Sequence, residues 1–60
     1  MTLNEFLIKT QTSSTSFALV MKVSRSAVSK WRQGDRIPRK EHIKRIKALT
    51  GNRVSATDWY

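Results

Sequence analysis

One short basic segment carries the side chains whose types and spacing could do chemistry. Residues 24 to 34 read SRSAVSKWRQG, and they are apolar only at Ala27, Val28 and Trp31. In a helix, a step of about 100° per residue places these three side chains together and turns serines, a glutamine and cations to the other side. The polar side is a row of small hydrogen-bonding groups edged by positive charge. It predicts a surface against which a partner lies.

The sequence offers no pattern typical of a catalytic or metal site. His42 is the single histidine, cysteine is absent, and the four acidic residues are scattered. Acid–base or nucleophilic catalysis needs a reactive group with a base within hydrogen-bond reach, and no such pair can be identified. We therefore predict that the protein is not an enzyme and uses no metal or other cofactor.

Positive charge is the strongest feature of the composition, and it is unevenly placed. The 60 residues hold twelve Lys or Arg against four Asp or Glu, for a formal net charge of +8. Residues 1 to 21 carry one cation and one anion, whereas residues 22 to 53 carry eleven cations and two anions. Such a concentration favours binding to a polyanion. The alternative is a basic surface that only increases solubility.

The hydropathy of the chain indicates no membrane segment. Its longest apolar run, residues 17 to 21, is far shorter than the roughly 20 residues needed to span a bilayer. The N-terminus lacks the pattern of a signal peptide. We expect a cytoplasmic protein that is not inserted in a membrane.

The polar segment must be positioned by helices, because no part of the chain alternates for long enough to predict a strand. Thr2 and Glu5 have the spacing of a capping box and predict a first short helix. Ser13 is a suitable N-cap for a second helix, from about residue 14 to 21. Its inward side chains are predicted to be Phe17, Ala18 and Met21, and Leu19 should be exposed.

A third helix is predicted to follow Ser24, a second N-cap candidate, and to end at Gly34. The second and third helices are separated by only three residues, with Val23 as an apolar plug, which fits a helix-turn-helix unit over about residues 14 to 33.

Pro38 suits the start of a fourth helix, which Gly51 ends. The apolar stripe of this fourth helix is predicted to be Ile43, Ile46 and Leu49. Ser55 and Asp58 again have capping-box spacing and predict a last helical turn.

The segment from residue 13 to 59 resembles the small phage Cro-type repressors and their bacterial relatives, including the YdaS-like antitoxin group. The match is carried by Phe17, Ala18 and Met21, by Val23 in the turn, and by the pattern SxSAVSxW followed by G and IP. The resemblance implies one all-α, lambda-repressor-like domain over residues 1 to 60, a bundle of four to five helices. Some Cro proteins have a β-stranded C-terminal half, but the capping signals here favour the helical form.

The resemblance also implies a function and an interface. The chain would bind double-stranded operator DNA as a repressor of phage or prophage origin, with helix 25 to 33 in the major groove. The base-contacting residues would be Arg25, Ser26, Ser29, Lys30 and Gln33. One departure is Lys22, where the family commonly has glycine, so a left-handed backbone there would cost about 1 kcal/mol.

Elementary chemistry supports the same face. Gln33 can bond bidentately to adenine, Arg25 or Lys30 to guanine, and the serine hydroxyls to donors or acceptors. Phosphate contacts hold register without reading sequence. They are predicted from Ser13, Ser14, Arg32, Arg36 and Lys40.

The remaining aromatic side chains bear on the oligomeric state. Trp31 could stack on single-stranded nucleic acid, but its spacing from Val28 favours the core. Leu19, Trp59 and Tyr60 are candidates for a dimer contact, although the two aromatic residues could instead cover the core. We expect a monomer that dimerises weakly or only on DNA.

Three other functions compete with operator binding. The protein could be an antitoxin-like regulator, it could bind membrane surfaces or acidic proteins through the basic helix at residues 39 to 49, or it could bind RNA.

Overall fold

The computed structural model of the chain describes residues 1–59, and it is all-helical over that range, without a strand. The predicted all-α class is confirmed for these residues, with four α-helices and one short 3-10 turn. The helices are α1 (Leu3–Lys9), α2 (Ser14–Met21), α3 (Arg25–Gln33) and α4 (Lys40–Leu49), and the 3-10 turn is Ala56–Asp58.

The first three helices begin at the predicted caps. Thr2 and Glu5 form a reciprocal capping box, in which each backbone N–H donates to the other side chain at 2.9 and 3.2 Å. The bond from the Thr2 amide lowers the pKa of the Glu5 carboxyl. Ser13 Oγ accepts from the Ser16 amide, and Ser24 Oγ accepts from the Ala27 amide. These side chains supply acceptors for amides that have none within the helix.

Each of the four helices is followed, one or two positions after its last residue, by a residue in the left-handed region. These residues are Gln11, Lys22, Gly34 and Gly51, with φ between 54° and 82°. At the end of α2, for example, the Val23 amide donates to the Ala18 carbonyl at 3.0 Å and the Lys22 amide to the Leu19 carbonyl at 3.3 Å. This is the pairing of the Schellman closure. The turn after α2 therefore has the regular left-handed geometry, with lysine in a place that favours glycine.

The core lies where the inner faces of all four helices meet. α1 contributes Leu3 and Leu7, α2 contributes its predicted inner face, and α3 contributes Val28 and Trp31. Val23 packs partly against this core from the short connection, as predicted. The buried members are Leu3, Leu7, Phe17, Ala18, Met21, Val28, Trp31, Ile46 and Val54. The predicted core position of Trp31 is confirmed.

The start of α4 differs from the prediction. The helix begins at Lys40, with the extended Arg39 as its N-cap, and not at Pro38. Pro38 is buried and lines a cleft together with Trp31 and His42. The proline ring thus shares this cleft with Trp31 of α3 and His42 of α4, and the helix begins only after it.

The predicted apolar stripe of α4 is wrong at its last residue. Ile43 and Ile46 are buried, but Leu49 is 44% exposed. The chain reverses through two consecutive left-handed residues, Gly51 and Asn52, and this brings Val54 into the core with no exposed surface. Val54, and not Leu49, therefore joins Ile46 in the core.

A buried hydroxyl holds this reversal together. Thr50 Oγ1 donates to the Ile46 carbonyl at 2.8 Å and accepts from the Val54 amide at 3.1 Å. Beyond it, Ser55 and Asp58 form the predicted capping box around the 3-10 turn. The Ser55 amide bonds to the Asp58 carboxylate at 2.8 Å, and this contact lowers the pKa of Asp58.

Candidate nucleic-acid interface

The outer face of α3 is open to solvent along its whole length. Arg25, Ser26, Lys30 and Gln33 are exposed and Ser29 is half-buried, while Val28 and Trp31 point into the core. All five predicted base-contacting side chains are thus brought to one side of one helix. None of these five side chains makes an intramolecular hydrogen bond within residues 1–59, so their donors and acceptors are available to a ligand.

Both ends of α3 are defined by capping residues. Ser24 caps its start at the three-residue connection from α2, and Gly34 (φ 82°) closes its last turn. The helix contains no acidic residue, and Lys30 and Arg32 lie in its last turn, where cations complement the helix dipole. The outer face consequently has a purely positive and polar character.

A polar cleft joins this face to the start of α2. The cleft is open to solvent and is lined by Asn4, Ser14, Ser29, Arg32 and Gln33. Ser14 was predicted to contact phosphate, and Ser29 and Gln33 were predicted to contact bases. The fold therefore brings members of the two predicted sets to one continuous surface, which sequence spacing alone could not establish.

Arg32, also predicted to contact phosphate, is engaged within the protein. Its Nε donates to Asn4 Oδ1 at 2.8 Å and its Nη1 donates to Ser14 Oγ at 2.9 Å. Sequence reasoning missed Asn4 altogether, because nothing in the local pattern of α1 signals a contact 28 residues away. Among residues 1–59, these are the only side chain to side chain hydrogen bonds that join two α-helices.

The other predicted phosphate-contacting residues are accessible. Ser13 is exposed, but its hydroxyl is occupied in capping α2 and bonds to Ser16. Arg36 lies in the segment between α3 and α4, Lys40 is the first residue of α4, and both side chains are exposed. In the first turn of α2, the Ser16 amide bonds to the Ser13 cap, and the amides of the first two residues have no acceptor within the helix.

Positive charge is not neutralised within the fold. In residues 1–59 the one ion pair joins the Met1 amino group to Asp58 at 3.0 Å. No Lys or Arg side chain in that range is paired with a carboxylate. Arg45 instead donates to the Met21 carbonyl at 3.4 Å, where its charge complements the C-terminal end of α2.

The predicted dimer candidates have different surroundings. Leu19 is 76% exposed, as predicted, and Val20 and Ile8 are further exposed apolar residues that sequence reasoning did not single out. Trp59 is half-buried against the core, and its indole Nε1 is buried without a partner in the described residues. Tyr60 lies outside the described residues.

Within residues 1–59, no helix has the length and apolar character that crossing a membrane requires. Comparisons of the chain with models of protein families, with curated proteins and with solved structures find no match.

Proposed function

We propose that this protein is a sequence-specific double-stranded DNA-binding protein that acts as a Cro-like transcriptional repressor of phage or prophage origin. In this proposal α2 and α3 form a helix-turn-helix unit, and α3 enters the major groove. The proposal rests on the outer face of α3, which is exposed and bears polar and basic side chains but no acidic ones. One polar cleft connects this face with the start of α2.

The side chains on this face suit the chemistry of base edges. The major groove presents a different pattern of donors and acceptors for each base pair. Gln33 can recognise adenine, Arg25 and Lys30 can recognise guanine, and the short side chains of Ser26 and Ser29 allow the helix backbone to approach the bases. A helix used only for packing needs no such combination.

Phosphate contacts would hold the helix in register. The start of α2 offers Ser14 and the amides of its first two residues. Arg36 lies in the segment between α3 and α4, and Lys40 begins α4. The absence of ion pairs to Lys or Arg in residues 1–59 leaves these charges available to the phosphate backbone. Two copies bound to neighbouring half-sites would add their contacts, so weak dimerisation on the DNA is sufficient.

Selection from a random duplex library, at a salt concentration of about 0.15 M, tests the proposal. We expect enrichment of a short motif, arranged as two half-sites about one helical turn apart. The proposal is overturned if no motif is enriched while the protein binds duplex DNA, RNA and anionic lipid vesicles with similar affinity. That result would identify a general polyanion binder.

A further inference from the structure

Arg32 on α3 forms side-chain hydrogen bonds to both α1 and α2, next to the surface that is proposed to recognise DNA bases. Its guanidinium lies between α1 and α2, where it donates to Asn4 at 2.8 Å and to Ser14 at 2.9 Å. Both bonds are partly buried, and the side chain itself is half-buried. A guanidinium presents its donors in a rigid planar fork, so two bonds fix its position and orientation.

Arg32 connects the two ends of the proposed interface, one through its bond to Ser14 and the other through its place beside Gln33 on α3. Ser14 is the first residue of α2, where a phosphate would bind, and Gln33 directly follows Arg32 on α3. Because Ser14 Oγ accepts from Arg32, its own hydroxyl hydrogen stays free to donate outward. The bond to a cationic donor also strengthens that outward hydrogen bond.

We infer that Arg32 is a positioning residue, which ties the phosphate-contacting start of α2 to the base-reading end of α3 and so determines sequence discrimination. This inference rests on the proposed function and extends it. Arg32 affects DNA recognition through its bond to Ser14 and through the placement of Gln33. Asn4 on α1 accepts the other hydrogen bond and fixes the guanidinium.

Four single variants, and the double variant Arg32→Lys with Asn4→Ala, separate this role from a direct phosphate contact. Arg32→Gln removes both the charge and the fork. Arg32→Lys keeps the charge but loses the fork, Asn4→Ala removes one acceptor, and Asn4→Asp keeps an acceptor of the same size. The measured quantities are the ratio of dissociation constants for a selected and a scrambled duplex, and the slope of log K against log salt. Affinities are measured at a temperature at which each variant is fully folded.

We expect Arg32→Lys and Asn4→Ala each to reduce the ratio by about tenfold, which corresponds to about 1.4 kcal/mol. The double variant should lose no more than either single variant, since both break one network. Asn4→Asp should retain the ratio, and the salt slope should be unchanged in Asn4→Ala. A merely structural role would change stability without this pattern in the ratio.

The inference is overturned if Asn4→Ala keeps the full ratio while Arg32→Gln weakens all duplexes equally and lowers the slope by about 0.9, the value for one lost phosphate contact.

A measurement without DNA distinguishes failure of the inference from failure of the proposed function. Nitrogen-15 NMR should show slow exchange of the Arg32 Nε–H in the free protein and fast exchange in Asn4→Ala. Fast exchange in the wild type overturns the inference, whereas slow exchange together with no preference between duplexes overturns the proposed function and the specificity role with it.

Discussion

Gln33 is the side chain on which base recognition depends most directly in the proposed complex. It is exposed in the last turn of α3 and borders the polar cleft. A bidentate contact to a base is worth about 1–3 kcal/mol of discrimination. We expect Gln33→Ala to reduce the preference for the selected duplex by that amount, measured as the ratio of dissociation constants for selected and scrambled DNA.

The chain offers a matched control in its other glutamine. Gln11 is exposed in the connection between α1 and α2 and is not among the residues that line the polar cleft. Gln11→Ala should leave the ratio unchanged. An equal loss of affinity for both duplexes in Gln33→Ala would contradict a base-reading role for this residue.

Thr50 is the buried polar residue on which the turn after α4 depends. Its hydroxyl satisfies the Val54 amide, which is itself buried. Thr50→Val keeps the shape but leaves that amide unpaired, so we expect a loss of about 1–3 kcal/mol in the free energy of unfolding, measured by urea denaturation. Thr50→Ser, which keeps the hydroxyl, should lose clearly less. Equal losses in the two variants would show that the methyl group matters and the hydrogen bonds do not.

At the scale of single residues, the sequence predicted what depends on neighbours along the chain. The caps at Thr2, Ser13 and Ser24 involve residues three positions away, and all three were predicted correctly. The sequence did not predict that Val54 would be buried and Leu49 exposed, because this depends on two left-handed residues in the intervening turn. The Arg32 network was missed because its partners come from two other helices.

At the scale of elements, the connection between α2 and α3 contains a removable source of strain. Lys22 has φ 59° and ψ 41°, a conformation that costs an L-residue about 1 kcal/mol or more and costs glycine little. We expect Lys22→Gly to raise the free energy of unfolding by up to about 1 kcal/mol, which for a chain of this size is a rise in Tm of about 4–8 °C. Differential scanning calorimetry measures it.

Lys22→Ala is the control for this change. It removes the same charge and side chain but keeps the strain, so its stability should not rise. If alanine and glycine stabilise the protein equally, relief of charge repulsion is responsible and the backbone argument is wrong.

The order and type of the helices could be predicted because each is marked by its own caps and stripe. Their mutual arrangement could not be predicted in the same way. The polar cleft that brings Ser14 beside Ser29 and Gln33 exists only once α1, α2 and α3 are packed. The start of α4 was placed too early because Pro38 is used in packing, a role that its local pattern does not distinguish from a place in the first turn.

At the scale of the whole molecule, the uncompensated positive charge should set the salt dependence of binding. Each phosphate contact contributes about 0.9 to the slope of log K against log salt. We expect Lys40→Gln to lower the slope by about that amount and to weaken selected and scrambled duplexes equally. Lys9→Gln, in the neutral first part of the chain, should change the slope much less. Equal changes in the two variants would indicate that net charge alone drives binding.

The proposed function requires that this protein reads DNA sequence through the outer face of α3. It is tested most directly by measuring wild-type dissociation constants for the most enriched duplex and for its scrambled copy across a series of salt concentrations. We expect a ratio of at least about 10³ that persists as salt rises and nonspecific binding weakens. A ratio near one at every salt concentration would contradict the claim.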